Sequence, residues 1–253
     1  NKPYLTTDIV LNNRRILLKL LIDIGNGDAL WLFQNKIPSI ILPANNFDDF
    51  LGRGFSGEVH GKRAKLEKVV LHNYTFEKPY IAFPDALSIQ NIPLQNGAGS
   101  IGAEILSRFT VVVDYANKSL YLKPNSQYNK PFQFNMSGIE IHHDGLEWVK
   151  TIIPASRTEI GEGLMDFQSR TFNYQFELKP VYKIYSIRKN SPAALAGLLK
   201  DDEIVSINGR KANKLSLQKI NHILKSKEDK QFRFEVKRNS QILKYTFNLK
   251  RDL

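Results

Sequence analysis

Short apolar segments punctuated by turn residues make up the first half of the chain, and that rhythm limits it to strands and hairpins. DIVL, RRILLKLLID, KIPSIILP, GEVHGKRAKLEKVVL, YTFEKPYIAFP and FTVVVDYANKSLYLKPN follow one another with Asn, Gly or Pro between them. Asn12-Asn13 and Ala116-Asn117-Lys118 have hairpin-turn chemistry, since Asn enters left-handed backbone conformations at low cost. The segments between favour Val, Ile, Leu, Tyr and Phe, which suit a pleated, half-buried surface. GAEILSRF at 102–109 is the best short helix, with Ile105, Leu106 and Phe109 on one side. This half is therefore mainly β.

The grammar changes near residues 124–137. KPNSQYNKPFQFNMSG is rich in Asn, Pro and Ser and reads as a linker. Beyond it, VYKIYSI predicts a strand, and SPAALAGL predicts a helix capped by Ser191, opened by Pro192 and closed by Gly197. DDEIVSINGRKA is a strand ending in an Asn-Gly turn, and SLQKINHILKS puts Leu217, Ile220, Ile223 and Leu224 on one helical face. QFRFEVKRNSQILKYTFNL is a hairpin around Asn239-Ser240. The expected domains are residues 1–125, a linker at 126–135, and a smaller α/β domain at 136–253 with an insertion at about 146–180.

Composition narrows the function classes. With 253 residues and 42 % apolar content, the chain can bury a sizeable core. It contains no cysteine, which excludes disulfide scaffolds, thiolate metal sites and thiol nucleophiles. The net charge of +11 is dispersed over short runs such as GKRAKLEK and LKSKEDK, which acids interrupt, so no nucleic-acid site is expected. The longest apolar run, ILLKLLIDI, is broken by Lys19 and Asp23 and is too short to span a membrane. The chain opens on Asn1 rather than Met, and NKPYLTT reads like the interior of a longer protein.

Two motifs carry less than their spelling suggests. GRGFSGEV (52–59) fits the glycine-rich loop of kinases, yet no lysine strand, HRD or DFG accompanies it. As a dinucleotide fingerprint it lacks the following helix, so a glycine-tipped hairpin is the expected structure. His142-His143 would point to opposite faces of a strand and so make a poor chelate; with Asp144 and Gly145 they read as a turn. No metal and no cofactor is expected.

The most informative string is LLIDIGNGDALWLF (20–33), which places Asp23 inside an apolar run and follows it with Gly25 and Gly27. Burying a carboxylate is expensive unless it is hydrogen-bonded or takes up a proton. The string resembles the active-site loop of aspartic peptidases, Asp-Thr/Ser-Gly followed by a small residue. LGRGFSGEVHGK falls where that family carries its flap, and GSIGAEILSRFTVVVDYANKSLYLKP resembles the closing element of retropepsin-like lobes. NSPAALAGLLKDDEIVSINGRKA resembles a bacterial PDZ domain, and the tandem of the two is a known bacterial arrangement. The resemblance implies an acid-protease-like closed β-barrel lobe plus a C-terminal PDZ-like α/β domain.

It also implies roles. Asp23 would be one carboxylate of a dyad that shares a proton and activates water against a peptide bond. Ile24, Gly25, Asn26 and Asp28 would form the active-site loop, with Asp28 ordering it or bordering the cleft. Gly54, Phe55, Ser56 and Gly57 would tip the flap, and the strand at Ile101-Gly102 would thread behind the loop and support it. Asp114 lies in the other acid-bearing apolar run but beside a hairpin turn, so it is not the second carboxylate. That group must come from a second lobe preceding this chain or from a homodimer. Ile24 departs from the family, which has a hydroxyl there to bond across to the opposing loop.

In the PDZ-like half, Ser137, Gly138 and Ile139 stand nearest to the carboxylate-binding loop, while Leu217 and Ile220 are either core or peptide pocket. The insertion would cover the groove or pack on the first lobe. The expected partners are a peptide or protein substrate and a peptide C-terminus. The resemblance further implies a location outside the cytoplasm. A catalytically degenerate scaffold, acting through its PDZ domain alone, is the alternative.

Overall fold

The computed structural model describes residues 2–34, 37–54, 57–89, 97–153, 173–251 and 253. The first half contains β1 (Tyr4–Leu11), β2 (Arg14–Ile22), β3 (Leu30–Leu32), β4 (Asn46–Gly54), β5 (Gly57–Lys65), β6 (Lys68–Leu71), β7 (Tyr74–Glu77) and β8 (Tyr80–Pro84). After α1 (Ala86–Ile89) come β9 (Gly99–Ile101), α2 (Ala103–Leu106), β10 (Phe109–Asp114) and β11 (Ser119–Pro124). The second half runs β12 (Ile139–Ile153), β13 (Asn173–Ile187), α3 (Pro192–Leu195), β14 (Glu203–Ile207), β15 (Arg210–Lys211), α4 (Leu217–Leu224), β16 (Gln231–Arg238) and β17 (Gln241–Asn248).

Turn chemistry sets the local folds. Asn12 and Asn13 take φ of 50° and 60°, which fits the tight turn joining β1 to β2. Asn239 and Ser240 repeat this between β16 and β17, at 49° and 64°. Ser191 and Ser216 accept the backbone N–H of Ala194 and Lys219, capping α3 and α4.

Nine strands form one sheet in the order β4-β5-β8-β3-β9-β2-β1-β6-β7, and β10 pairs with β11 beside it. The apolar faces of β1, β2, β3, β6, β7, β8 and β9 and of α2 meet in one core, in which Ile9, Leu20, Leu30, Ile81 and Ile101 are fully buried. The sheet is open, with β4 and β7 at its edges, rather than the closed barrel expected. Edge strand β4 is drawn to the other half instead: Phe47 packs on the second core and Phe50 lies 5.3 Å from the Tyr185 ring.

The second sheet runs β12-β13-β14-β16-β17, with β15 on β14. Its core is built on Ile139, Ile184, Ile220, Phe232 and Phe234. The stretch that reads as a polar linker is anchored at both ends. Tyr128 packs on the first core, Phe134 and Met136 belong to the second, and Phe132 touches both. Buried Arg108 donates to the carbonyls of Tyr128 and Lys130 and lies 3.8 Å over the Phe132 ring. Apolar residues spaced through a polar string are thus enough to pin it.

His142 and His143 lie in β12 rather than in a turn, packed on opposite sides against Tyr185 and Tyr182. Among the described residues no cluster of His, Asp and Glu could hold a metal, and no helix is long and apolar enough to cross a membrane.

Strand β9 leaves no room for a side chain at Gly99. A Cβ on Gly99 would fall 1.8 Å from the Trp31 carbonyl oxygen, whereas one on Gly27 would meet nothing within 4 Å. Gly99→Ala is therefore expected to destabilise by about 3 kcal/mol or more and Gly27→Ala by less than about 1 kcal/mol, as read by urea unfolding.

Candidate active-site loop and its links to the second half

Residues 23–28 leave the end of β2 and return to β3, and β9 lies between those two strands. Ile101 is in register with Ile22 on the parallel side and with Leu30 on the antiparallel side. Its carbonyl accepts the Asp23 N–H at 3.0 Å, and the Gly102 N–H reaches the Ala29 carbonyl at 3.0 Å. A Cβ on Gly102 would sit 2.2 Å from the Asp28 carbonyl oxygen, so glycine is required by contact. Ile101 and Gly102 thus stand directly behind the loop.

Within the loop the Asp23 carboxylate accepts the Gly25 N–H at 3.0 Å, and a Cβ on Gly25 would approach that same oxygen to 3.2 Å. Asp23 is half-buried, while Ile24 is 81 % exposed. Buried Asn26 ties the loop together. Its Nδ2 donates to Ser100 Oγ at 3.1 Å, its Oδ1 accepts the Asp28 N–H at 2.9 Å, and its carbonyl accepts the Ala103 N–H at 2.7 Å. No side chain among the described residues bonds to the Asp23 carboxylate.

Asp28 faces inward. One oxygen accepts Trp31 Nε1–H at 2.8 Å, and the other meets Arg63 Nη1 at 2.6 Å. The same guanidinium donates through Nε to Asp49 at 2.8 Å. Burial works against the Arg63 charge, but Asp28 and Asp49 outweigh it and raise its pKa above the usual value. Asp49 continues to Arg188 of the second half, whose guanidinium lies 3.5 Å away and 4.6 Å over the Phe47 ring. An ion network therefore runs from the loop to the start of the α3 turn.

Sequence reading missed this network. Arg63 is 35 residues from Asp28 and 14 from Asp49, and only strand pairing brings the three together. One signal existed: Arg63 is in phase with inward-facing Val59 and Gly61 of β5. Asp114 behaves as expected of a turn residue, its carboxylate held below the usual range by the backbone and side-chain N–H groups of Asn117.

Gly54 and Gly57 pair at the tip of the β4–β5 hairpin, with Gly57 at φ 114°. Phe55 and Ser56 lie outside the described residues. The hairpin leans on the second half, where Tyr185 Oη donates to Glu58 at 2.6 Å. Tyr185, with His60 beside it, holds the Glu58 carboxylate below its ordinary range.

In the second half Ser137, Gly138 and Ile139 are all buried. The Ser137 N–H donates to Asn135 Oδ1, and the Ile139 N–H donates to Ser137 Oγ. A Cβ on Gly138, at φ 82°, would strike the Ser191 side chain. Ile220 is fully buried and Leu217 half-buried, so Ile220 is core and Leu217 borders the surface. Strand β12 is an edge, paired only with β13 among the described strands, and α4 packs beside it.

The profile of the PDZ domain matches residues 183–238, which run from the end of β13 through α3, β14, β15 and α4 to the end of β16. The second half carries a PDZ domain. Its matched segment excludes β12 and β17, which here complete the sheet at its two edges. The chain is also similar to two structures of the HtrA-type protease AlgW with a decapeptide. Identities are 12 % and 14 %, the matches span 96 % and 98 % of this chain and 74 % and 78 % of those, and both TM-scores are 0.33. Those scores lie below the level at which whole folds correspond. No curated protein matches the chain.

Between the halves, half-buried Glu140 of β12 has its pKa pushed up to about 7, by burial first and then by Asp49, with Arg63 and Lys225 opposing. A carboxyl group whose folded pKa exceeds its unfolded value stabilises the fold at low pH, and that contribution fades as pH rises from about 4.5 to about 7. Glu140→Gln should therefore raise stability at pH 8 by about 2 kcal/mol and leave it nearly unchanged at pH 4.5, as measured by urea unfolding across that range.

Proposed function

We propose that the chain is one lobe of an aspartic-type endopeptidase joined to a PDZ module that recruits or regulates. The observation that carries this reading is the geometry of the 23–28 loop. A half-buried carboxylate receives the N–H of the second following residue, and the loop is backed by a glycine-bearing strand threaded between its flanks. That arrangement holds an acid at a fixed place with one face open, which dyad chemistry requires.

The second carboxylate would come from another lobe or from a second copy, and Ile24, exposed beside Asp23, would lie in that contact. The paired acids would hold one proton, with one activating water and the other polarising the scissile carbonyl. Peptides would reach the PDZ domain by adding along the open edge of β12 beside α4. An extracytoplasmic location belongs to the same reading.

Ile24 also favours a second reading. It offers no hydroxyl to lock two opposing loops, and a scaffold that binds peptide without cleaving it would tolerate that loss. The two readings part on one measurement. If the first holds, the full-length protein cleaves unfolded protein at acidic pH with pepstatin sensitivity, and Asp23→Asn lowers the rate by at least about 1,000-fold. Equal cleavage by that variant would sink the peptidase reading, and peptide binding without any cleavage would support the scaffold.

A further inference from the structure

Strands β12 and β13 are each 15 residues long, far longer than the sheet they belong to requires. Their inner halves form the PDZ edge. At Asp144-Gly145 the pairing slips by one residue, with Gly145 at φ 90° and Asp144 held by Lys183 at 2.6 Å. Beyond this bulge the two strands continue as a ribbon.

The extra residue changes the phase of β12. Its core residues are Ile139 and Ile141, but past the bulge the even-numbered positions take up the same face. On β13 the alternation is unbroken from 174 to 184, so Leu178, Phe176 and Tyr174 extend the face on which Tyr182 and Ile184 enter the core. Direct pairs Trp148↔Leu178, Lys150↔Phe176 and Ile152↔Tyr174 assemble an apolar stripe. It is bare: Trp148 is 68 % exposed, Phe176 59 %, Ile152 58 %, Tyr174 51 % and Leu178 47 %. Residues 154–172 of the expected insertion lie outside the described residues, and its described parts leave this stripe exposed.

We propose that this stripe is the surface on which two copies of the chain associate, arm against arm about a two-fold axis. Three features support a second copy as the occupant. A two-stranded ribbon is marginal alone and needs a covered face. The five apolar residues, each about half or more exposed, offer on the order of 600 Å² per copy, so their full burial in a pair would remove about 1,200 Å², the lower end of a specific interface. The stripe is also self-complementary. With the axis between the Trp148 and Lys150 rows, each Lys150 meets the partner's indole rather than the partner's ammonium. Lys150 already lies 3.5 Å over the Tyr174 ring in its own chain, so an aromatic environment suits it. An anionic lipid surface fits less well, since the reverse face carries acids as well as bases, including the Lys179–Glu177 pair. None of this needs Asp23 or a bound peptide, and it stands apart from the peptidase reading.

Sedimentation of the intact protein from about 1 to 100 µM should show a concentration-dependent dimer, and Trp148→Glu with Phe176→Glu should weaken it at least about 100-fold. Both positions are exposed, so circular dichroism should not change, and the unfolding midpoint should differ from that of the parent only at concentrations where the parent is dimeric. The chain lacks cysteine, so Lys150→Cys offers a single thiol that a short bismaleimide should link between copies. A monomer throughout, a dimer that survives the double substitution, or no link at Lys150→Cys overturns the proposal. So does a monomer that co-sediments with phosphatidylserine vesicles through Trp148, which would give the face to a lipid.

Discussion

A single guanidinium joins the parts of this molecule that matter most to one another. Arg63 contacts Asp28 at 2.6 Å and Asp49 at 2.8 Å, and its side chain is only 11 % exposed. Two inward-facing carboxylates on different elements would be untenable without it, because each would need a proton or a path to water. Removing one member of such a group leaves an uncompensated buried charge, a loss of about 3–5 kcal/mol. Lysine would not substitute: an ammonium on a flexible stem lacks the fork that lets Nε and Nη1 address two carboxylates at fixed angles. Trp31, donating to the other Asp28 oxygen, completes that side of the network.

Because Asp28 belongs to the loop and Asp49 to the hairpin that touches the PDZ half, the network makes the loop sensitive to how the halves sit. Arg188 stacks between Phe47 and Phe134 while reaching Asp49, so apolar packing and charge act at the same place. Glu140 adds a titrating group to this junction near neutral pH. When it ionises, it joins Asp28 and Asp49 around the Arg63 guanidinium, with Lys225 as a further cation. The hairpin is also fastened by Tyr185, through Glu58 and through the Phe50 ring. A shift of Phe50 and Glu58 toward the loop would break these contacts to the PDZ half.

The division of the chain into a strand-rich half and a smaller α/β half was legible because it rests on local chemistry. Asn12-Asn13, Asn239-Ser240 and the caps Ser191 and Ser216 act over two to four residues, within reach of a single string. The tie from Asp23 to Gly25 is equally local. What escaped depends on register. The Arg63 network joins strands that no periodicity links, and the edge position of β4, with Phe47 and Phe50 against the other half, is likewise set by pairing over long separations. The arm escaped for a third reason: one extra residue at Asp144-Gly145 reverses the alternation, so a reading of period two loses the face at the point where it becomes informative.

The PDZ half raises a further point about what it can hold. Capture of a peptide carboxylate relies on free backbone N–H groups in the loop before the edge strand. Here two of the three are spent, Ser137 on Asn135 and Ile139 on the Ser137 hydroxyl, and Gly138 is pressed against Ser191. A carboxylate entering there would have to displace two side-chain acceptors and restore their hydrogen bonds elsewhere, and that exchange offsets most of the gain. The backbone of β12 carries no such burden, being an edge without a described partner on its outer side. Strand addition in mid-peptide, with no terminal carboxylate, is therefore the mode of capture that this geometry favours.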